Sequence, residues 1–576
     1  MTDSAVPSST DRPWLAAYAP GVPADVDVPE ESLTAALVRA AQASPSGVAV
    51  DFLGGVVTWA TLARRVEHAA EALRLLGVSK GDRVAVVLPN CTTHVVAFYA
   101  ILRLGAVVVE HNPTYTPDEL AHQLGDSGAT VAIVWDKIVP DVLSVLDHTA
   151  VTQVVAVDMV ADLPLAKRLA LRLPVPTARE TRAAMTGPLP ADSRVHRWGT
   201  LMRSAPALDA AHPEAAPDDL ALLQYTGGTT GTPKGAMIRH RNLAVNAAQG
   251  QAWTRHPTGS ETVLAALPFF HAFGLMLCLT YAVRIGATLV VLPKFDVDSA
   301  LAAQRRRPIT FLPGVPPMFE RLAAAARSRG ADLSSIKGAI SGAMALPDAT
   351  ARAWEEVTGG LLVEGYGMTE MSPVALGSPM SSARRPGTLG IPFPSTTMRV
   401  VDPEDPSRDV PAGERGELLV AGPQVFDGYW QRPEESGAVL VEHGGRTWLR
   451  TGDVVVVEPD GFVRLVDRIK EVIITGGFNV YPSQVEEHLR GMPEIADVAV
   501  VGLPGGDLGE RVVAAIVLAE GVTRVELDAV RAWSEKRLAR YAHPRELVVL
   551  PELPRSQIGK VLRRVVREQI LARRTS

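Results

Sequence analysis

Apolar residues over the first 160 positions of the chain follow the period of a helix and the period of a strand in turn. An apolar residue at about every 3.6 positions predicts a helix, and short apolar runs between turn residues predict strands. The run 83–88, the helical stretch 93–104 and the run 106–109 have the spacing of a βαβ unit, which predicts a parallel sheet. Thr58 is expected to cap the second helix. The predicted helices are 32–43, 59–76 and 93–104, and the predicted strands are 48–52, 56–59, 83–88, 106–109, 131–134 and 154–157.

The same alternation returns after residue 220, and several predicted strands end in turns rich in glycine, serine or proline. Two of these turns are Ser341-Gly342-Ala343 and the segment 365–370. Ligands of open α/β sheets bind at the carboxyl ends of the strands, so we expect these turns to meet in space. The predicted helices here are 241–252 and 274–284, and the predicted strands are 263–267, 287–291, 309–312, 336–340 and 361–363.

Two changes of pattern divide the rest of the chain. Residues 387–466 contain short apolar runs between Gly, Pro and Asp turns, which is typical of a β subdomain. From Asp467 onward, strands and helices form a shorter α+β pattern. We therefore predict an α/β protein with a large N-terminal domain over 1–466 and a small C-terminal domain over 467–576. In the small domain, strands are predicted at 472–474, 498–501 and 514–518 and helices at 482–490 and 527–538.

Residues 160–205 interrupt the alternation with basic residues set among Leu, Pro and Ala. Such a segment can lie on an anionic membrane surface. The alternative is a solvated surface excursion, and we favour it because Pro174 and Pro176 would break a long helix.

Length, charge and cysteine content exclude several classes of protein. The 576 residues are too many for one compact core, so several domains or subdomains are expected. The 57 basic and 63 acidic residues give a net charge of −6, which does not favour nucleic-acid binding. Cys91 and Cys278 are the only cysteines and support neither a disulfide framework nor a zinc site. The N-terminus has no signal-peptide pattern and no apolar run is long enough to span a bilayer, so a cytoplasmic protein is expected, with peripheral contact at the inner membrane face as the second interpretation.

The stretch 223–235, LQYTGGTTGTPKG, gives the clearest indication of a ligand-binding site. Glycines let a backbone approach a ligand closely, and successive N–H groups in such a turn form an anion-binding nest. Threonine hydroxyls and Lys234 add donors and a positive charge, so the loop suits a polyphosphate. A flexible surface loop is the alternative that composition alone leaves open. Walker A is excluded because Pro233 precedes Lys234, and a dinucleotide fingerprint is excluded because Thr229 stands where its second glycine should be.

The loop resembles the phosphate loop of the adenylate-forming superfamily, which includes acyl-CoA synthetases, coumarate-CoA ligases, luciferases and peptide-synthetase adenylation domains. Gly227 stands in place of the usual serine, a variant similar to that of bacterial long-chain fatty acyl-CoA ligases. The resemblance extends over nearly the whole chain, and it implies two doubly wound α/β subdomains and a β subdomain in the large domain, with a mobile small domain. The segments that carry it fall in the family's order, at 225–235, 268–271, 366–370, 451–453, 467–477 and 554–560.

The resemblance also implies roles for individual residues. It makes Lys560, Thr369, Glu370 and His271 the catalytic residues, with Glu370 and Thr226 holding Mg²⁺. Lys560 would stabilise the charge that develops when a carboxylate attacks the α-phosphate of ATP. Taken alone, the same residues are a solvated lysine, a helix cap and a structural histidine. The implied ATP- and CoA-binding residues are Thr226, Gly227, Gly228, Thr229, Thr230, Gly231, Lys234, Gly342, Ala343, Gly365, Tyr366, Gly367, Asp453, Arg468, Lys470, Gly476 and Gly477.

Within these residues the resemblance implies that Tyr366 packs on adenine and that Asp453 accepts hydrogen bonds from the ribose hydroxyls. Lys470 is implied as the pivot of the small domain. Gly476 and Gly477 would line the channel for the CoA arm, where a missing Cβ leaves room.

The expected function is ATP-dependent ligation of a medium- to long-chain fatty acid to coenzyme A through an acyl-adenylate, with release of AMP and pyrophosphate. A fatty acyl-AMP ligase, an aryl-CoA ligase and a non-enzymatic nucleotide-binding sensor are the alternatives. Ile474 replaces a lysine of the luciferases, which argues against light-emitting oxidation. The expected partners are the fatty acid, ATP and CoA, and the oligomeric state is open between monomer and homodimer.

Overall fold

The computed structural model describes residues 12–226, 232–475, 478–505, 509–535, 538–556 and 559–575. The predicted βαβ alternation forms a seven-stranded sheet that is parallel except for its last pair. That pair is an antiparallel hairpin in which Thr226 lies opposite Lys234. In spatial order the strands are Val195–Arg197, Gln153–Val157, Val131–Trp135, Arg83–Val87, Val107–Glu110, Leu220–Thr226 and Lys234–Arg239.

A second sheet has nine strands and takes in the N-terminal hairpin. Val50 pairs in parallel with Leu289, more than two hundred residues later in the chain. The hairpin is predicted by the sequence, but its place in this sheet is decided by long-range pairing. In spatial order the strands are Ile391–Pro392, Val374–Gly377, Leu361–Gly367, Gly338–Ser341, Phe311–Gly314, Thr262–Ala265, Thr288–Val291, Val48–Phe52 and Gly55–Thr58.

The helix Thr92–Arg103 is buried at every position and contacts strands of both sheets. The predicted Thr58 cap is confirmed, since the threonine hydroxyl accepts a hydrogen bond from the Thr61 amide at 3.3 Å. The helical segment predicted at 274–284 begins at Ala272 and has π-helical geometry over Leu275–Thr280. The other helices of the large domain are Leu33–Ala43, Trp59–Leu75, Pro117–Ser127, Val139–Val145, Leu165–Ala170, Pro176–Met185, Trp198–Ser204, His240–Thr254, Ala272–Gly274, Tyr281–Arg284, Val297–Arg306, Pro316–Arg329, Asp348–Thr358 and Pro433–Val439.

The basic segment over 160–205 forms short pieces of helix, as its prolines predict. The helix Leu165–Ala170 ends before Pro174, and the next helix starts at Pro176. Within the described residues, no helix has the length and hydropathy needed to cross a bilayer.

The β subdomain is confirmed as a five-stranded antiparallel sheet. The Thr451-Gly452-Asp453 segment lies inside the long strand Arg446–Val457. Gly452 has a φ of 70°, and the pairing with the neighbouring strand shifts register at this point. A glycine therefore allows a bulge that a side chain would strain. The strands are Thr397–Val401, Gly416–Ala421, Leu440–His443, Arg446–Val457 and Val463–Arg468.

The small domain holds a two-stranded and a three-stranded sheet. Its strand Glu546–Val549 was not predicted, because four residues with a glutamate at the start give a weak pattern. The strands are Ile473–Thr475, Phe478–Val480, Ile495–Pro504, Glu510–Leu518 and Glu546–Val549, and the helices are Pro482–Leu489, Leu527–Ser534 and Arg563–Thr575.

Arg563, at the start of the last helix, ties that helix to the segment where the small domain begins. Its guanidinium donates two hydrogen bonds of 2.8 Å to the buried carboxylate of Glu486 and one of 2.9 Å to the Ser483 hydroxyl. It also pairs with Glu471, next to the predicted pivot. A single arginine thus holds together three parts of the small domain.

We expect Arg563→Met to destabilise the small domain by about 3 kcal/mol, because removing one partner of a buried ion pair leaves the Glu486 carboxylate with only Arg490 as a charged partner among the described residues. Hydrogen exchange followed by mass spectrometry should show faster exchange in Ile495–Pro504 and in the last helix. The strand Leu220–Thr226 of the large domain serves as the internal control. Unchanged exchange in the small domain would contradict the role of Arg563.

Candidate active site

Turns from both large sheets and a loop of the small domain meet at one place. The antiparallel hairpin of the seven-stranded sheet brings Thr226 and Lys234 to this place. The Lys234 ammonium lies 5.2 Å from the centre of the Tyr429 ring. The loop residues Gly227, Gly228, Thr229, Thr230 and Gly231 lie outside the described residues.

Glu370 lies in a helical turn, Thr369–Met371, after a strand of the nine-stranded sheet. Its side chain is 5% exposed and accepts a hydrogen bond of 2.6 Å from the Tyr429 hydroxyl. Burial raises the pKa of Glu370, while the Tyr429 hydrogen bond and the charges of Arg468 and Lys234 oppose this rise. A buried carboxylate beside a phosphate site has the chemistry that Mg²⁺ prefers, which is oxygen ligands from one or two carboxylates and from phosphates.

Asp453 is the point where the three parts of the site meet. The hydroxyl of Tyr366, from the nine-stranded sheet, donates to Asp453 Oδ2 at 2.5 Å. The Arg468 Nε atom lies 3.0 Å from Asp453 Oδ1. Asp453 itself is 2% exposed. The bulge at Gly452 therefore places a carboxylate where a tyrosine and an arginine both reach it.

Lys560 reaches the same place from the small domain. Burial, together with the positive charge of Arg468, lowers the pKa of Lys560 to about 8, and the charge of Asp453 partly offsets this effect. The adjacent Gly559 lies against the large domain, where a Cβ on Gly559 would come within 3.3 Å of Met344 Sδ. Lys560 and Asp453 are thus neighbours, although more than a hundred residues separate them in the chain.

His271 caps the short helix that follows it. Its Nδ1 atom accepts a hydrogen bond of 3.3 Å from the Phe273 amide. Burial lowers the pKa of His271 to about 4, so the ring is neutral at neutral pH. The Phe273 ring packs on Gly342, where a Cβ would come within 2.8 Å of it. The next residue, Ala343, is exposed and has a φ of 65°.

Close packing explains why glycine stands on either side of Tyr366. A Cβ on Gly367 would lie 1.8 Å from the Pro373 carbonyl oxygen, and one on Gly365 would lie 3.2 Å from Ile340 Cγ2. The close approach of the neighbouring backbone therefore requires glycine at 367, whatever the ligand. Lys470 is exposed, in the turn Ile469–Glu471. Gly476 and Gly477 lie outside the described residues.

Two residues of this site were not predicted from the sequence. Tyr429 supports Glu370, and the sequence signal for it is only an aromatic residue after a glycine. Gln224 lies inside the strand before the glycine loop and donates 2.8 Å to the Phe270 carbonyl oxygen. It thereby links the phosphate hairpin to the turn that carries His271. A glutamine inside an apolar strand gives no sequence signal of such a link.

A separate cavity of about 440 Å³ lies beside the seven-stranded sheet. None of the described residues that the sequence assigns to the site lines this cavity. Its walls include Arg65, Asp162, Trp198 and Met202. The convergence of side chains at Asp453, rather than cavity size, therefore identifies the candidate active site.

Comparison with known proteins gives matches over nearly the whole chain. Residues 37–430 match the family described as AMP-binding enzyme, and residues 484–560 match the AMP-binding enzyme C-terminal domain. The chain is 36% identical over 562 residues to the long-chain-fatty-acid–CoA ligase of Bacillus subtilis (strain 168), covering 97% of this chain and 98% of that protein. It is also 36% identical over 540 residues to a feruloyl-CoA synthase of Amycolatopsis sp, covering 92% and 98%. The crystal structure of ATP-bound MatB from Rhodopseudomonas palustris is similar with a TM-score of 0.80 and 29% identity, covering 94% of this chain and 99% of that one.

The pKa of Lys560 gives a direct test of the site geometry. At pH 8 about half of Lys560 should be neutral, against roughly 0.4% of an ordinary lysine with a pKa near 10.4. Competitive acetylation followed by mass spectrometry across pH 6–11 should give a midpoint of about 8 for Lys560. Arg468→Met should move this midpoint upward, because it removes a positive charge. The exposed Lys337 is the control, and a midpoint for Lys560 equal to that of Lys337 would contradict the geometry.

Proposed function

The chain belongs to the AMP-binding enzyme family, and we propose that it joins a medium- to long-chain fatty acid to coenzyme A with consumption of ATP. The observation that carries the proposal is the meeting of Lys560, Arg468 and Glu370 around Asp453 in a chain similar over its full length to a long-chain-fatty-acid–CoA ligase. The products of the overall reaction are the acyl-CoA, AMP and pyrophosphate.

In the first half-reaction a carboxylate oxygen of the fatty acid attacks the α-phosphorus of ATP. The bond from that phosphorus to the bridging oxygen of pyrophosphate breaks, and acyl-AMP remains. Two anions must approach each other, so a positive charge between them lowers the barrier. Lys560 supplies that charge in the arrangement described above, where it lies near Arg468 and Asp453.

The nucleotide is oriented by groups that already contact one another. Asp453 is placed to accept hydrogen bonds from the ribose hydroxyls, and Tyr366 lies beside it to pack against adenine. Thr226, Lys234 and the glycine loop bind the phosphates. Thr369 precedes Glu370 in the same turn, where it would contact the α-phosphate.

Glu370, with Thr226, would hold a magnesium ion. The fit rests on the buried Glu370 carboxylate, whose raised pKa reflects a charge without full compensation in the protein. The bound ion would neutralise phosphate charge. Tyr429 orients Glu370 for this role through its hydrogen bond of 2.6 Å.

In the second half-reaction the thiol sulfur of CoA attacks the acyl carbonyl and its proton is lost to water, while AMP leaves with the electrons of the bond between the acyl carbon and the phosphate oxygen. Lys560 takes no part in this step, and the step does not need its charge. We propose that the small domain, over 467–576, turns about Lys470 between the two steps and takes Lys560 away. The exposure of Lys470 fits a pivot, since its backbone can change without disturbing a core. Neutral His271 borders the acyl group.

We expect the wild-type enzyme to form acyl-CoA from C8 to C18 fatty acids with higher kcat/KM than from C4 acid or from ferulate. The measurement is CoA-dependent release of AMP over a panel of acids, with CoA omitted as the control. An aryl-CoA ligase is the second candidate, because the feruloyl-CoA synthase is as similar in identity as the long-chain ligase. Preference for ferulate would replace the fatty-acid assignment by this one.

Lys560→Ala should slow formation of acyl-AMP by about 100- to 1,000-fold, as loss of one charge that stabilises the transition state does. ATP–pyrophosphate exchange measures this step. Formation of thioester from synthetic acyl-AMP and CoA should stay within about twofold, since the attacking thiol does not need Lys560. Lys337→Ala is the matched control and should change neither step. Equal loss of both steps in a folded Lys560→Ala protein would refute the division of roles.

A further inference from the structure

The helix Pro117–Ser127 contacts the antiparallel hairpin of the seven-stranded sheet on both sides of the predicted phosphate loop. On one side, His122 Nε2 lies 3.1 Å from the carbonyl oxygen of Pro233, the residue before Lys234. A carbonyl oxygen only accepts hydrogen bonds, so the histidine ring carries a proton on Nε2 and donates it to this bond. The helix therefore holds the backbone next to Lys234.

Asp126, one helical turn after His122, holds the other side of the hairpin. Its Oδ2 atom accepts a hydrogen bond of 2.7 Å from the hydroxyl of Tyr225, the residue before Thr226. Burial and the hydrogen bond to Asp126 raise the pKa of Tyr225, so the phenol stays protonated and keeps donating. Because Thr226 and Lys234 lie opposite each other in the hairpin, the two contacts hold this pair from both sides.

The other oxygen of Asp126 reaches the segment that supports Glu370. The Arg432 guanidinium donates to Asp126 Oδ1 at 2.7 Å, and the Arg432 amide donates to the Tyr429 carbonyl oxygen at 3.1 Å. Tyr429 is the residue whose hydroxyl donates to Glu370. A single carboxylate, whose side chain is 10% exposed, thus joins the hairpin to the support of the predicted magnesium ligand.

The helix is itself fixed at both ends. At its start, the Thr116 hydroxyl and the Glu119 carboxylate form a capping box. At its end, the Arg83 guanidinium donates to the carbonyl oxygens of Ser127 and Gly128 at 3.0 and 3.1 Å. Arg83 begins the middle strand of the seven-stranded sheet, whereas the hairpin lies at the edge of that sheet. The helix therefore ties the edge hairpin to the middle of the sheet.

We propose that Asp126 and His122 are positioning residues for the phosphate groups of ATP. The inference rests on the proposed function, in which Thr226 and Lys234 bind those phosphates. Neither Asp126 nor His122 needs to touch the nucleotide, since each holds a residue next to a phosphate-binding one. Groups that are in place before ATP arrives align its α-phosphorus at a lower entropic cost.

The two half-reactions separate positioning from stability. Acyl-AMP has no β- and γ-phosphates, so thioester formation from acyl-AMP should not depend on Asp126 or His122. Contacts that only stabilised the fold would instead lower both half-reactions together, or neither.

ATP–pyrophosphate exchange with the full-length protein tests the role of Asp126. Asp126→Ala should lower kcat/KM for MgATP by about 10- to 100-fold, because a small displacement of the phosphate-binding groups has an effect of that size. The KM for the fatty acid and thioester formation from synthetic acyl-AMP should stay within about twofold. Combining Asp126→Ala with Tyr225→Phe should cost less than the product of the two single losses, since both changes remove one contact. Asp118→Ala is the matched control on an exposed position of the same helix and should change neither step.

His122 allows a test by rescue. His122→Phe keeps a ring but has no donor, so kcat/KM for MgATP should fall by about 3- to 10-fold. His122→Gln restores an N–H donor that can reach the Pro233 carbonyl oxygen, and it should recover most of this loss. Thioester formation from synthetic acyl-AMP should be the same in both variants.

The proposal is overturned if Asp126→Ala keeps the wild-type kcat/KM for MgATP, or if it lowers both half-reactions equally in a folded protein. It is also overturned if His122→Gln is no better than His122→Phe. A wild type that forms no acyl-AMP from any fatty or aromatic acid would refute the proposed function itself, so the two failures can be told apart. If Asp126→Ala does not fold, Tyr225→Phe and the two His122 variants decide.

Discussion

The contact between the Asp453 carboxylate, the Tyr366 hydroxyl and the Arg468 guanidinium is the constraint on which the rest of the site depends. Asp453 lies in a strand of the β subdomain, Tyr366 in a strand of the nine-stranded sheet, and Arg468 at the start of the small domain. The three groups can meet only when all three units are folded and docked. A buried carboxylate also requires its partners, because an unpaired charge at 2% exposure would be costly.

Lys560 adds a charge to this contact, and among the described residues no carboxylate forms a salt bridge with it. Burial and Arg468 destabilise its protonated form, and only Asp453 favours it. An incoming carboxylate and a polyphosphate would supply the missing negative charge. In the proposed rotation, the same imbalance would favour the docked position of the small domain while both anions are present and weaken it once pyrophosphate has left. Arg563 would keep the small domain together during such a movement, since it joins the last helix to Glu486 and Glu471.

Much of the fold could be predicted because its signals are local. The apolar periods locate the helix capped by Thr58 and the parallel strands of the first sheet within a few residues. The place of the hairpin 48–58 in the second sheet could not be predicted, since it depends on pairing between Val50 and Leu289. The helix Thr92–Arg103 contacts both sheets, and its burial on all sides is a property of the assembled domain. The bulge at Gly452 could not be predicted, since a positive φ is equally typical of a turn and the register shift depends on pairing with the neighbouring strand.

The sequence by itself determined the chemistry that is available. The segments that follow the family's order along the chain contain the glycine loop, Glu370, Asp453 and Lys560. These residue types at these spacings identify the family. The tertiary structure decided how these groups act on one another. It brought Lys560 to Asp453 and lowered the pKa of the lysine, and it buried Glu370 and gave it Tyr429 as a support. It also left Leu165, Leu169 and Leu173 exposed to solvent. The physical reason is that residue type fixes charge and hydrogen-bonding capacity, whereas burial and distance arise only when remote parts of the chain pack together.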